Sequence, residues 1–292
     1  MTDVNQGITA EPVESKEKRL RCLMRSYGRV LVAYSGGVDS TYLAYVANDE
    51  LGSEAICVTG ISASVAAYQR DEASRFAKRI GLNHRTITTD ELSDPRYSAN
   101  PSNRCYFCKS ELYSKLSTLS DEMNIDAIVD GTNADDVGGH RPGMTAAKES
   151  GVHSPLADVG LTKDEIRFLS RLAGLPQWEK PSSPCLASRI AYGVPVTIER
   201  LSKVDRAESF LRESGFNEFR VRVHGDLARI EIAPSEMKKA LSEAFAARTA
   251  ARFAELGFTY VTLDLFGFRS GAMNEVLERN RQASEDLLKE TA

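Results

Sequence analysis

No run of the chain approaches the ~18 consecutive apolar residues of a membrane-spanning helix, which excludes an integral helical membrane protein. Basic charge is not in excess either. The 37 Lys and Arg stand against 41 Asp and Glu, a formal net charge of -4, so the broad electrostatic footprint of a nucleic-acid binder is missing and no such partner is expected. A small anionic substrate is compatible with that balance. Cysteine is scarce, five in 292 residues, odd in number and unevenly spaced. That is no disulfide framework, and any special cysteine is a metal ligand or a reactive thiol. Residues 1–12 are polar, with no apolar core followed by a cleavage site, so they do not read as a secretory signal and the expected location is the cytoplasm. The sequence shows no internal repeat and no low-complexity segment.

What is present is an ordinary globular composition, 42% hydrophobic and 27% charged, over a length that suggests two domains. In the first, expected over residues 1–183, strand-like runs at 30–33, 55–59, 84–88 and 127–130 alternate with helical patterns at 14–27, 39–51, 68–80 and around Leu112, Leu116 and Leu119. That alternation predicts an α/β fold with a doubly wound parallel sheet. Thr162-Lys163-Asp164-Glu165 has the form of a capping box and starts a helix through Leu172. Pro176, Pro181 and Pro184 then bracket a linker into a smaller α+β domain over 184–292. Its pattern is a helix at 197–214, a strand pair at 219–223 and 227–232, a long helix at 235–256, a strand at 260–263 and a terminal helix.

The first strand runs straight into SGGVDST, residues 35–41, and then into a helix. Such a turn aims several backbone N–H groups at one spot beside the positive end of the helix dipole, which makes an anion site. Gly36 and Gly37 allow close backbone approach, Ser35 and Ser40 add hydroxyl donors, and Asp39 caps the helix or helps hold a metal ion. The Gly-Lys-Ser/Thr ending of the Walker loop is absent, which suits pyrophosphate as the leaving group better than transfer of a terminal phosphate. The fourth strand empties into Gly131-Thr132-Asn133-Ala134-Asp135-Asp136, where Asp135 and Asp136 are placed to hold Mg2+ on the phosphates. The expected nucleotide site is Ala33, Ser35, Gly36, Gly37, Asp39, Ser40, Thr59, Gly131, Asp135 and Asp136. In these residues the chain resembles the PP-loop ATP pyrophosphatases, a superfamily that includes GMP synthetase, NAD synthetase and several sulfur-inserting enzymes. That resemblance implies ATP-dependent adenylation of a substrate oxygen.

Cys105 and Cys108 form a CxxC pair, and Cys185 stands alone after a proline. Three thiolates are one short of a closed zinc site and match an iron–sulfur cluster with one iron left open; zinc, a simple thiol pair or inert thiols remain the other readings. Cys22 and Cys57 lie in apolar patterns and are expected in the core. Together SGGVDST, NPSNRCYFCK, GTNADD with HRPG, PCLASR, RVRVHGDLARIEI and GFRSGAMNEVL resemble the LarE family, the pyridinium-3,5-biscarboxylic acid mononucleotide sulfurtransferases of nickel-pincer cofactor biosynthesis. The match runs from about Leu20 almost to the C-terminus. It implies that ATP adenylates a carboxylate of that small-molecule mononucleotide and that a sulfur species then makes a thiocarboxylate. Within such a family the sulfur comes either from a sacrificed cysteine, matching Cys185, or through a [4Fe-4S] cluster on Cys105, Cys108 and Cys185. Having all three, this chain is expected to use the cluster. The resemblance also implies a homo-oligomer, a hexamer. The rival readings are a tRNA thiolase, an ammonia-using amide synthetase and a non-catalytic ATP-binding redox sensor.

Arg220 and Arg222 share one face of a presumed strand, and Arg229 and Glu231 share a face of the next. Guanidinium forks suit a mononucleotide that carries phosphate and carboxylates, although a solvated sheet face with cross-strand ion pairs gives the same pattern. Ser188 and Arg189 beside Cys185 are expected to orient the activated carboxyl, and Glu208 to bind metal or act on protons.

Overall fold

The β-branched run Val30-Leu31-Val32 has no polar face to present to water, so the strand it makes must be covered on both sides. The computed structural model, which describes residues 11–138 and 141–269, shows how. The order is α1 (Val13–Tyr27), β1 (Val30–Ala33), α2 (Val38–Leu51), β2 (Ala55–Ile61), α3 (Ala67–Arg79), β3 (Asn83–Thr88), α4 (Pro95–Ser98), α5 (Arg104–Met123) and β4 (Ala127–Asp130). There follow α6 (Pro142–Glu149), α7 (Pro155–Asp158), α8 (Lys163–Leu172), α9 (Ile198–Glu213), β5 (Phe219–His224), β6 (Leu227–Ile232), α10 (Met237–Ala240), α11 (Glu243–Glu255) and β7 (Tyr260–Leu263). The chain forms two units. One holds residues up to Ser62, Ala67–Asp94 and Asn103–Ser183; the other holds Ala63–Ala66, Pro95–Ser102 and the chain from Pro184 on.

The first unit is an α/β layer structure whose four strands are all parallel, in the order β3-β2-β1-β4. Side chains alternate across the sheet. Val30, Val32, Cys57 and Val129 pack with apolar residues of α1, α2, α3, α7 and α8, whereas Leu31, Ile56, Val58 and Ile128 pack with Tyr113 and Leu116 of α5 and Ala146 and Ala147 of α6. The outer strand β3 is mostly exposed and polar, which blunts it as a template for pairing with another chain. From β1 the chain steps outward through β2 to β3, then returns to the other side of β1 for β4. The switch point therefore falls between β1 and β4, where open parallel sheets take ligands.

In the second unit β5 and β6 form an antiparallel hairpin and β7 adds parallel to β6. The inward residues Phe219, Val221, Val223, Ala228, Ile230 and Ile232 are buried. Phe210, Phe245 and Phe253 from α9 and α11 stack together on this core with Phe216 and Phe258.

Two expectations need correction. The long helix over 235–256 is broken into a short turn, α10 and α11, because Ser242 leaves helical angles to stand at the N-cap of α11 and turns its hydroxyl back to Lys239 O. The helix expected to follow the CxxC pair instead begins at Arg104 and contains both cysteines. The expected terminal helix, His140 and most of GFRSGAMNEVL lie outside the described residues.

Candidate nucleotide and sulfur-transfer site

The phosphate loop leaves β1 after Tyr34, whose N–H still pairs with Val58 O at 2.8 Å. Gly36 sits at φ +70° with its Cα against α3; a Cβ there would fall 2.8 Å from Ala73 Cβ. Gly37 is extended and α2 starts at the next residue. Inside the turn Ser40 Oγ accepts from Ser35 N at 3.2 Å and lies 3.0 Å from Ser35 Oγ, so both hydroxyls gather with the backbone donors at the N-terminus of a 14-residue helix. Ala33 ends β1 in register with Val58 and Asp130. Thr59 donates its single hydroxyl proton to Tyr34 O at 2.8 Å and therefore accepts from His84 Nε2–H at 2.9 Å. Its side chain is buried and braces the strand exit, while burial lowers the pKa of His84.

The acidic turn after β4 touches this loop through backbone. A Cβ on Gly131 would stand 2.8 Å from Ser40 N and 2.9 Å from Ser40 Cα. Gly131→Ala is therefore expected to push the two loops apart and raise the ATP KM about tenfold or more, a loss of about 1.4 kcal/mol in binding. Steady-state pyrophosphate release at varied ATP checks this, and an unchanged KM would show that the contact is dispensable. Asp130 sets the turn by accepting from Tyr113 Oη (2.8 Å), Thr132 N (3.1 Å), Thr132 Oγ1 (3.0 Å) and Ser154 Oγ (2.9 Å). Asn133 and Asp136 then cap the next turn reciprocally. Asp136 also meets Arg141 at 2.8 Å, and Asp135 Oδ2 accepts from Lys163 N at 2.7 Å.

Lys163 is an addition to the expected set. Its ammonium pairs with Asp39 Oδ2, so α8 carries a cation to a loop whose own motif has none. The sequence does hold a signal for it: a lysine in the first turn of a capped helix opposes the helix dipole and needs another reason to be there. Burial pushes the pKa of Asp39 up, Lys163 pulls it down and the charge of Asp136 pushes it up again. Asp39 Oδ1 is buried with no partner. These two carboxylates fit a Mg2+ ion, which takes one or two carboxylates together with substrate phosphates and would relieve their repulsion. Among the described residues no three His, Cys, Asp or Glu side chains converge on a metal position.

Cys105 and Cys108 lie three apart near the N-terminus of α5, exposed and half-buried, where the helix dipole favours thiolates. None of the five cysteines is in a disulfide. Burial pushes the Cys57 thiol up to about 12, as suits a core residue. Cys22 is a correction: it is exposed on α1, beside Arg25 at 3.1 Å, because it falls off the stripe of Leu20 and Met24 that faces the sheet.

Half-buried Cys185 stands at the N-cap of a short 3₁₀ turn, and its loop is held by carbonyls. Arg189 Nη1 donates to Pro184 O (2.6 Å), Cys185 O (3.0 Å) and Ser188 Oγ (2.8 Å), while its Nε and Nη2 fork onto Glu208 at 2.9 and 3.1 Å. Ser188 Oγ donates to Cys185 O at 2.7 Å. Arg222 forks onto Glu231 at 3.1 and 3.0 Å and donates to Ser188 O at 2.8 Å. Register sets Arg220 opposite Glu231 and Arg222 opposite Arg229, so all four share one face. Arg229 bridges Glu231 and Asp264, and Arg220 covers the Phe268 ring at 4.9 Å. Arg189, Arg222, Glu208 and Glu231 are all buried, and their geometry frames the Cys185 loop.

A parallel sheet with an SGGVDST anion loop at its switch point defines a PP-loop protein. A glutamine-hydrolysing GMP synthase polypeptide of Methanopyrus kandleri is 25% identical over 70% of this chain and 69% of its own. No protein-family profile matches the chain. It is 45% identical over 91% of its length to an uncharacterised protein of Synechocystis sp., all of which is covered. It is 35% identical over 92% of its length to the pyridinium-3,5-bisthiocarboxylic acid mononucleotide synthase of Lactiplantibacillus plantarum, covering 98% of that protein. The chain belongs to the family of that synthase.

Proposed function

We propose that the protein uses ATP to adenylate a carboxylate of pyridinium-3,5-biscarboxylic acid mononucleotide and converts it to a thiocarboxylate for cofactor biosynthesis. The carboxylate oxygen attacks the α-phosphorus and pyrophosphate leaves. A sulfur nucleophile then attacks the acyl carbon and AMP departs with the original oxygen. The Ser35-to-Thr41 loop and Lys163 receive the leaving pyrophosphate, and Asp39 with the Asp135–Asp136 turn holds its Mg2+. Cys105, Cys108 and Cys185 are the thiols that would hold a [4Fe-4S] cluster, which supplies an open iron for a sulfide. The framed Cys185 loop presents the sulfur chemistry to the activated carboxyl.

The observation that carries this reading is that a chain related end to end to a bisthiocarboxylic acid mononucleotide synthase has its phosphate loop and acidic turn in backbone contact. The test is incubation of anaerobically purified protein with ATP, Mg2+, sulfide and the mononucleotide. Pyrophosphate release that depends on the mononucleotide, with a product in which sulfur replaces oxygen, is expected. An amide product with ammonia, or no pyrophosphate release, would sink the reading.

A further inference from the structure

We infer that Lys180 is a positioning residue for the phosphate loop, fixing the Gly36–Gly37 peptide so that its N–H faces the anion; the inference rests on the reading that this loop receives pyrophosphate. Lys180 Nζ donates to Gly36 O at 3.0 Å and pairs with Glu72 Oε2 at 2.6 Å, and its side chain is only 16% exposed. In a planar trans peptide the C=O and the next N–H point in opposite directions. With its oxygen drawn back to Lys180, this peptide turns Gly37 N–H into the loop. There the N–H finds only Ser35 Oγ at 3.4 Å, a contact at the limit of hydrogen bonding and easily given up to a phosphate oxygen.

The peptide needs a lock. It lies between two glycines, the first at φ +70°, and no Cβ on either side opposes a flip. A flipped peptide would aim a carbonyl oxygen at the phosphates. The ammonium opposes the flip and, by polarising the carbonyl, makes Gly37 N–H a stronger donor.

Lys180 is itself held in place. Its carbonyl accepts from Arg167 Nη2 at 3.0 Å, and Arg167 Nη1 donates to Trp178 O. Arg167 lies one turn after Lys163 on α8, and Glu72 neighbours Ala73, the residue packed against Gly36. Helices α3 and α8 thus grip the rear of the loop, with α8 also placing a cation at Asp39. A half-exposed ion pair of no consequence would not need a carbonyl of the loop as its third member.

The test compares binding of inorganic pyrophosphate with Mg2+ and binding of AMP by calorimetry, in the wild type, Lys180→Met and Lys180→Arg. The expected result is a pyrophosphate Kd raised about tenfold in Lys180→Met, since a charge-assisted bond behind a donor is lost, with the AMP Kd within about twofold and most of the loss recovered in Lys180→Arg. Amide NMR adds a readout that general loosening would not give: pyrophosphate shifts the Gly37 N–H resonance downfield in the wild type and much less in Lys180→Met. Equal pyrophosphate affinity in wild type and Lys180→Met, or equal weakening of pyrophosphate and AMP, overturns the role of Lys180. Failure of the wild type to bind pyrophosphate instead overturns the reading of the loop. If Lys180→Met does not fold, Glu72→Gln decides, with a pyrophosphate Kd raised about threefold expected and an unchanged one overturning the proposal.

Discussion

Glu208→Ala is expected to lower the free energy of unfolding by about 3–5 kcal/mol, the cost of removing one partner of a buried ion pair. Arg189 and Glu208 are each 2% exposed, and Glu208 Oε1 accepts from Val221 N at 3.1 Å as well as from Arg189. The substitution leaves a guanidinium without its counter-charge and a strand N–H without its acceptor. Urea unfolding followed by circular dichroism measures the loss, and a change below about 1 kcal/mol would show that the site relaxes around the gap. The double variant Arg189→Met with Glu208→Leu separates the two contributions. It removes both charges, is expected to be less destabilised than Glu208→Ala, and still loses Arg189's hold on the Pro184 and Cys185 carbonyls. Stability recovered without recovery of thiocarboxylate formation would assign the pair to framing Cys185.

That pair also shows where the sequence stops being legible. Strand, turn and helix around SGGVDST follow from local pattern, since β-branched runs, glycine turns and apolar stripes act over a few residues. The capping box at Thr162 is likewise local, and it appears with both reciprocal bonds. Functions assigned to charged residues depend on what lies across from them, which no local pattern records. Arg222 and Glu231 were expected to meet the substrate, and the structure places them in a buried fork that anchors Ser188 O. Thr59 was expected at the nucleotide, and its hydroxyl is occupied between Tyr34 O and His84. Lys163 and Lys180 reach the loop from 124 and 144 residues away in the chain, a separation at which spacing carries no signal. Ser242 was legible in principle, because a serine inside a long apparent helix is as good a cap as a helix residue.

Cys185→Ala is expected to abolish thiocarboxylate formation, by at least about 10³-fold, while leaving a first turnover of pyrophosphate release near the wild-type rate. Adenylation uses the loop, Lys163 and the acidic turn, all in the first unit, whereas Cys185 belongs to the second. The two half-reactions are therefore separable by substitution. Rapid-quench measurement of pyrophosphate and product in one sample checks the split, and loss of both signals would mean that Cys185 is needed before adenylation. Cys105→Ser with Cys108→Ser then decides how the sulfur arrives. If the three thiols act together through a cluster, this double variant loses product as completely as Cys185→Ala, and the wild type keeps Cys185 intact through many turnovers with about four irons per chain. If Cys185 gives up its own sulfur, the double variant still makes product once per chain, and the intact mass of the spent protein falls by that of hydrogen sulfide at residue 185. The half-buried thiol sits on carbonyls pinned by Arg189 and Ser188, a geometry that suits either route by holding one sulfur position still. Only the CxxC pair on α5 distinguishes them, so its substitution reports the route directly.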